Sequence, residues 1–76
     1  MSSIRFLKSF LAVVRHGSFS AAGKEIGLTD AAVGQQIRAL EGELHQGLFD
    51  RSGRAIVLNT AGRAMVAPVK DLVARY

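Results

Sequence analysis

The sequence predicts a mainly α fold carrying one small β-hairpin, and three observations point there. Four segments place apolar residues at helical spacing, hydroxyl residues and glycines stand where those segments begin and end, and one short stretch pairs two extended runs about a Ser-Gly turn. The chain has 76 residues, no cysteine and one proline, so it makes a single small domain without disulfide or thiolate–metal support. Its two histidines, His16 and His45, lack ligand-like spacing, and no metal or cofactor is expected.

In the first helix, to about Arg15, Ile4, Leu7, Leu11 and Val14 follow helical spacing, and Phe6, Phe10 and Val13 widen the stripe. Ser2 or Ser3 is placed to cap its start, and Gly17 to stop it as a left-handed cap. So wide an apolar face calls for partners on two sides.

A short second helix follows, capped by Ser18 or Ser20 and running to about Ile26, with Phe19, Ala22 and Ile26 spaced to bury together. Gly23 within it costs about 1 kcal/mol relative to alanine unless close packing requires it. Gly27 makes the turn and Leu28 is expected to plug the angle between two helices. Thr29 then caps a third helix, and Asp30 at its first position suits the helix dipole.

On that third helix Val33, Ile37, Leu40 and Leu44 form one apolar edge. The opposite face holds Ala31, Gln35, Arg38 and Ala39, flanked by Ala32 and Gly34. A solvent face is more often filled with Glu and Lys; small residues let the backbone approach a partner closely, Gln reads adenine and Arg reads guanine. Helix, glycine turn and capped helix together form a helix-turn-helix over about residues 18–38, with the helix at about 30–44 as its recognition helix.

After a turn through His45, Gln46 and Gly47, the runs 48–51 and 55–58 flank Ser52 and Gly53 as a hairpin, with Ile56 and Leu58 turned inward and Arg51 and Arg54 beside the tip. A hairpin with arginines, directly after a recognition helix, is a wing. The expected fold class is therefore a winged helix-turn-helix over residues 1–59 followed by a long linker helix beginning at 60. Thr60 is expected to cap that helix and Pro68 to bend it. Met65, Val69, Leu72, Val73 and Tyr76 make an apolar stripe that reaches the last residue with no stop signal. Within 76 residues such a stripe has little to cover it, and pairing with a second copy is the expected solution: a homodimer through this helix.

Ten Lys and Arg against six Asp and Glu leave a net charge of +4, and seven of the ten are arginine, which favours a polyanionic partner held by bidentate contacts. Apolar runs are short and broken by charge, and the start lacks a signal-peptide core, so a cytoplasmic protein with no membrane partner is expected. Paired carboxylates, a nucleophile beside a base and a phosphate loop are all lacking, which argues against an enzyme.

The ordered set of residues resembles the amino-terminal DNA-binding region of LysR-type transcriptional regulators. The matching runs are Phe6-Leu7 with Phe10 and Val13, Gly17-Ser18-Phe19-Ser20-Ala21-Ala22, Val33 with Gln36-Ile37-Arg38, Leu40-Glu41, Glu43-Leu44, Leu48-Phe49-Asp50-Arg51, and Leu58-Asn59-Thr60-Ala61-Gly62. The resemblance implies a winged helix-turn-helix, a dimerising linker helix, and a further domain that would take a small-molecule effector. It also marks departures. Thr29-Asp30-Ala31-Ala32-Val33-Gly34-Gln35 stands where the family often has Ser-Gln-Pro-Ala-Leu-Ser-Arg, and His45 and Gly47 stand at the family's usual Gly and Pro.

Double-stranded DNA is the expected partner. Gln35 and Arg38 would meet base edges, with Ala31, Ala32 and Gly34 allowing close approach. Asp30, in place of the family's usual Gln, would repel phosphates unless it accepts from a cytosine amino group. Ser18, Ser20, Thr29, Arg51 and Arg54 would hold the backbone. The alternative is a winged helix used only for protein association through its fourth helix.

Overall fold

The computed structural model describes residues 4–51 and 55–76. Helix α1 (Ile4–His16), α2 (Phe19–Ile26) and α3 (Asp30–Leu44) are followed by strands β1 (Phe49–Asp50) and β2 (Val57–Leu58) and by α4 (Thr60–Arg75). The strands pair antiparallel, Phe49 opposite Leu58 and Asp50 opposite Val57. The hairpin is thus shorter than the runs 48–51 and 55–58 suggest. The expected capping serines Ser2 and Ser3 and the hairpin tip with Arg54 lie outside the described residues.

Helix α1 is the axis of the molecule. Ser9, Phe10, Leu11, Ala12 and Val13 are all buried, a full turn enclosed on every side, because α2, α3 and α4 all pack on it. This is the two-sided cover its wide apolar stripe calls for. Ser9 is the one buried polar residue of the described core, and its hydroxyl donates to Gln36 Oε1 on α3. The Gly17 N–H bonds to the Val13 carbonyl at 2.7 Å, and Gly17 takes φ +67°, as a left-handed cap requires.

The core joins Phe10, Val13, Ala22, Val33, Ile37 and Leu40 with Leu48 and Phe49 of the hairpin and Val69 of α4. Phe10 and Phe49 meet at 5.6 Å between ring centroids with planes tilted by 55°. Ile56 and Leu58 turn inward onto this core while Val57 is exposed, the alternation expected of a strand with one buried face.

Four expectations are corrected. Leu28 and Leu44 are only partly covered, at 36% and 42% exposure, instead of being buried in the helix angle and along the α3 edge: Leu28 sits beyond the Gly27 turn at the rim of a cavity shared with Ser9, Ile26 and Gln36, and Leu44 is the last residue of α3. Asn59, not Thr60, caps α4, its Oδ1 accepting from Gly62 N at 2.8 Å. Leaving β2 in an extended conformation, Asn59 is the residue whose side chain reaches the free amides, and Asn ranks above Thr as a cap. The fourth concerns Val69. It is 3% exposed and inside the chain's own core, with Met65 and Val73 partly buried beside it, because that side of α4 covers α1. Of the stripe assigned to dimerisation, only Leu72 and Tyr76 are left largely exposed, at 54% and 84%.

Pro68 lies on the exposed side of α4, which continues through it. His45 ends α3 in the left-handed conformation at φ 52°, the one non-glycine residue described with positive φ. A side chain there is disfavoured by about 1–2 kcal/mol. Allowing for glycine's greater chain entropy, His45→Gly is expected to raise stability by roughly 0.5 kcal/mol, read as a higher denaturant midpoint at unchanged slope.

Candidate nucleic-acid interface

The α2–turn–α3 unit is held by short-range bonds whose donors and acceptors are set in the sequence. Ser18, in extended conformation, caps α2 and its Oγ accepts from Ala21 N at 3.1 Å; Ser20 is exposed inside the helix and does not cap. Gly27 turns the chain at φ +76°, its N–H and that of Leu28 both bonding to the Gly23 carbonyl, the latter at 2.9 Å. Gly23 is required for the close approach: an added Cβ would stand 2.3 Å from the Leu28 carbonyl oxygen. Thr29 Oγ1 then accepts from Ala32 N at 3.1 Å, and Asp30 Oδ1 from Ala31 N at 2.7 Å. Each capping hydroxyl accepts an amide and still has its own proton to donate outward.

Ala31, Gln35, Arg38 and Ala39 are exposed together on α3, as the helical wheel places them, with Ala32 half-buried at their edge. Gly34 is not on that surface. It is buried against α2, where an added Cβ would lie 3.3 and 3.4 Å from two carbons of the Phe19 ring. Its smallness serves the packing of α2 on α3, which corrects its assignment to a contact with an external partner. The same Cβ would lie 3.5 Å from Arg38 Nη1, so the Arg38 guanidinium runs beside this junction.

Arg51 reaches the same place from the hairpin. Its guanidinium lies 5.8 Å from the Phe19 ring centroid, within cation–π range, and its Nη2 is 3.1 Å from Glu41 Oε1. Glu41 Oε2 in turn accepts from Leu48 N at 2.7 Å. Phe19 and Glu41 are therefore parts of the site that sequence reasoning treated as core and as pattern. No local signal finds them: Glu41 and Arg51 are ten residues apart on different elements.

On the other side, away from these groups, Glu25 ties α2 to the end of α1. Arg15 bonds to both of its carboxylate oxygens and His16 Nε2 lies 2.7 Å from Oε1. The Arg15 guanidinium first, and His16 second, hold the exposed Glu25 carboxyl below its ordinary pKa. Among the described residues no cluster of three or more His, Cys, Asp or Glu could hold a metal ion, and no helix is long and apolar enough to cross a membrane.

A third helix with one exposed Gln–Arg face, a capped turn before it and a hairpin carrying Arg51 beside it define a winged helix-turn-helix. The family model described as the bacterial regulatory helix-turn-helix protein, lysR family, matches residues 4–63, and the chain belongs to this family. It is 50% identical over 60 residues to a helix-turn-helix transcriptional regulator from the ibpB–leuC intergenic region of Azotobacter vinelandii, covering 79% of this chain and 42% of that protein. It is 44% identical over 71 residues to the transcriptional regulator ShiR of Corynebacterium glutamicum, covering 93% of this chain and 24% of that one. Among solved structures, the CbnR DNA-binding domain in complex with DNA superposes with a TM-score of 0.90 at 33% identity, covering 96% of this chain and 84% of that one. The chain thus spans less than half the length of these two regulators.

Proposed function

We propose that this chain is the sequence-specific DNA-binding domain of a LysR-type transcription regulator. The observation that carries the proposal is the exposed α3 face of Ala31, Gln35, Arg38 and Ala39 with Arg51 beside it, on a fold whose relative CbnR was solved bound to DNA. Helix α3 enters the major groove, where Gln35 and Arg38 meet base edges over a backbone kept low by Ala31 and Ala32. Asp30, at the leading end of α3, accepts from a cytosine amino group. Ser18, Ser20 and Thr29 donate hydroxyl protons to phosphates, and Arg51 and Arg54 serve the backbone or minor groove from the wing.

The domain works as a homodimer on a partly palindromic operator, its two α3 helices about 34–36 Å apart in successive major grooves. Leu72 and Tyr76, with the partly covered Met65 and Val73, supply the α4 surface for that pairing. In the longer parent a further domain takes a small-molecule effector. The protein is cytoplasmic and is not an enzyme.

Selection of binding sites from random DNA, repeated at two salt concentrations, tests this. Recovery of a two-fold-related site with affinity falling steeply in salt is the expected result. Absence of binding would favour a role in protein association alone. Within a selected site, Arg38→Ala is expected to cost about 1–3 kcal/mol and relax preference at one base pair. Equal weakening on all sequences would make Arg38 a phosphate contact instead.

A further inference from the structure

Glu41 sits near the end of α3 remote from the Thr29 cap, off the exposed Ala31–Gln35–Arg38 face, and its side chain is 13% exposed. Its two oxygens serve different partners. Oε2 accepts from the backbone N–H of Leu48, where the chain enters the hairpin, and Oε1 meets Arg51 just past β1. On its other side the Arg51 guanidinium faces the Phe19 ring, and that ring fills the space over Gly34 of α3. Residues from α2 and α3 thus grip one arginine of the hairpin.

From this geometry we infer that Glu41 is a positioning residue of the DNA interface, holding Arg51 in the orientation in which its remaining guanidinium donors meet a phosphate. The inference rests on the DNA-binding role proposed above. An arginine has five N–H donors, so one pair made with Glu41 leaves others for an anion. A carboxylate beside a phosphate contact weakens the simple attraction. What it contributes is order: a long side chain already held in place loses less freedom on binding. Because Glu41 also satisfies Leu48 N, the helix that reads bases and the hairpin that grips backbone move as one body.

The test is a double-mutant cycle on the operator obtained by selection, with affinity measured across a salt series. E41Q keeps an oxygen for Leu48 N but replaces the carboxylate facing Arg51 by an amide. E41Q and R51A are each expected to lose about tenfold in affinity, as for one charge-assisted hydrogen bond. Each should also flatten the salt slope by about 1, the signature of one lost phosphate contact that a purely structural role would not move. The double variant should bind no more weakly than R51A. Wild-type affinity and slope for E41Q, or losses that multiply in the double variant, would overturn the inference.

Thermal melts run alongside. If E41Q fails to fold, R51K replaces it, since Arg51 is exposed and lysine keeps the charge without the planar fork. A weaker R51K complex supports the grip and an unchanged one overturns it. If the wild-type chain itself does not bind DNA, the DNA-binding role fails and this inference with it.

Discussion

Gly62→Ala is expected to destabilise the domain by about 3 kcal/mol, by forcing extra atoms into a packed site. A Cβ on Gly62 would stand 2.1 Å from the Leu48 carbonyl oxygen and 2.6 Å from Leu58 Cδ2. The leucine side chain has some room to turn. The carbonyl does not, because it accepts from Asn59 N at 3.0 Å and belongs to a residue 1% exposed. Relief must come from lifting α4 off the hairpin, which strains the Asn59 cap and its Nδ2 bond to the Gly47 carbonyl. Helix propensity alone predicts the opposite sign, a gain of about 1 kcal/mol for alanine. Gly42 of α3 provides the control, since nothing lies within 4 Å of a Cβ there. Chemical denaturation of both variants should show Gly42→Ala stabilised and Gly62→Ala strongly destabilised. A stabilised Gly62→Ala would show that α4 does not pack this closely on the hairpin.

Phe10→Ala should cost about 4 kcal/mol, near the middle of the range for removing a buried aromatic ring. Phe10 is fully buried on α1, and its ring meets Phe49 of the hairpin. A protein this short has a small margin, since domains are held by only about 5–15 kcal/mol in all. The variant is therefore expected to be largely unfolded at physiological temperature and to lose DNA binding as a consequence. Cooling or an added stabilising osmolyte should recover both together. A loss of binding with the melting temperature unchanged would mean that Phe10 acts on the interface and not through the core. Phe10→Leu, which refills most of the volume, should lose much less.

Much of the interface scaffold was legible in the residues because its determinants are local. Ser18 and Thr29 cap helices by reaching amides three residues on, and Gly27 turns the chain where only glycine is at ease. The exposed Ala31–Gln35–Arg38–Ala39 face follows from helical periodicity alone. Distances of three to seven residues along a helix leave little for the rest of the molecule to alter.

Other features were beyond that reach. Gly34 looked like a point of close approach for an outside partner, yet the ring that fills its space is Phe19 of the preceding helix. Periodicity shows that a position is small; only packing shows which surface needs it small. Val69 belonged to a stripe that suited a second subunit, and the structure places it in the chain's own core because α1 had a second apolar side to cover. Leu44 continued the α3 edge in sequence, but as the last residue of that helix it stays 42% exposed. The Glu41–Arg51 pair and its Phe19 backing join three elements, and no repeat or spacing announces such a meeting.

By itself, then, the sequence determined the order of elements, the caps of α2 and α3, the glycine turns, the exposed Gln–Arg face of the third helix and the resemblance to LysR-type regulators. Each of these depends on residues within a turn or two of one another, or on their linear order. The tertiary structure decided which small residues face inward, how much of α4 is left for a partner, and which carboxylate holds the wing arginine. Those choices arise when apolar stripes wider than a single neighbour must be shared among several helices, and long side chains settle into the gaps that remain.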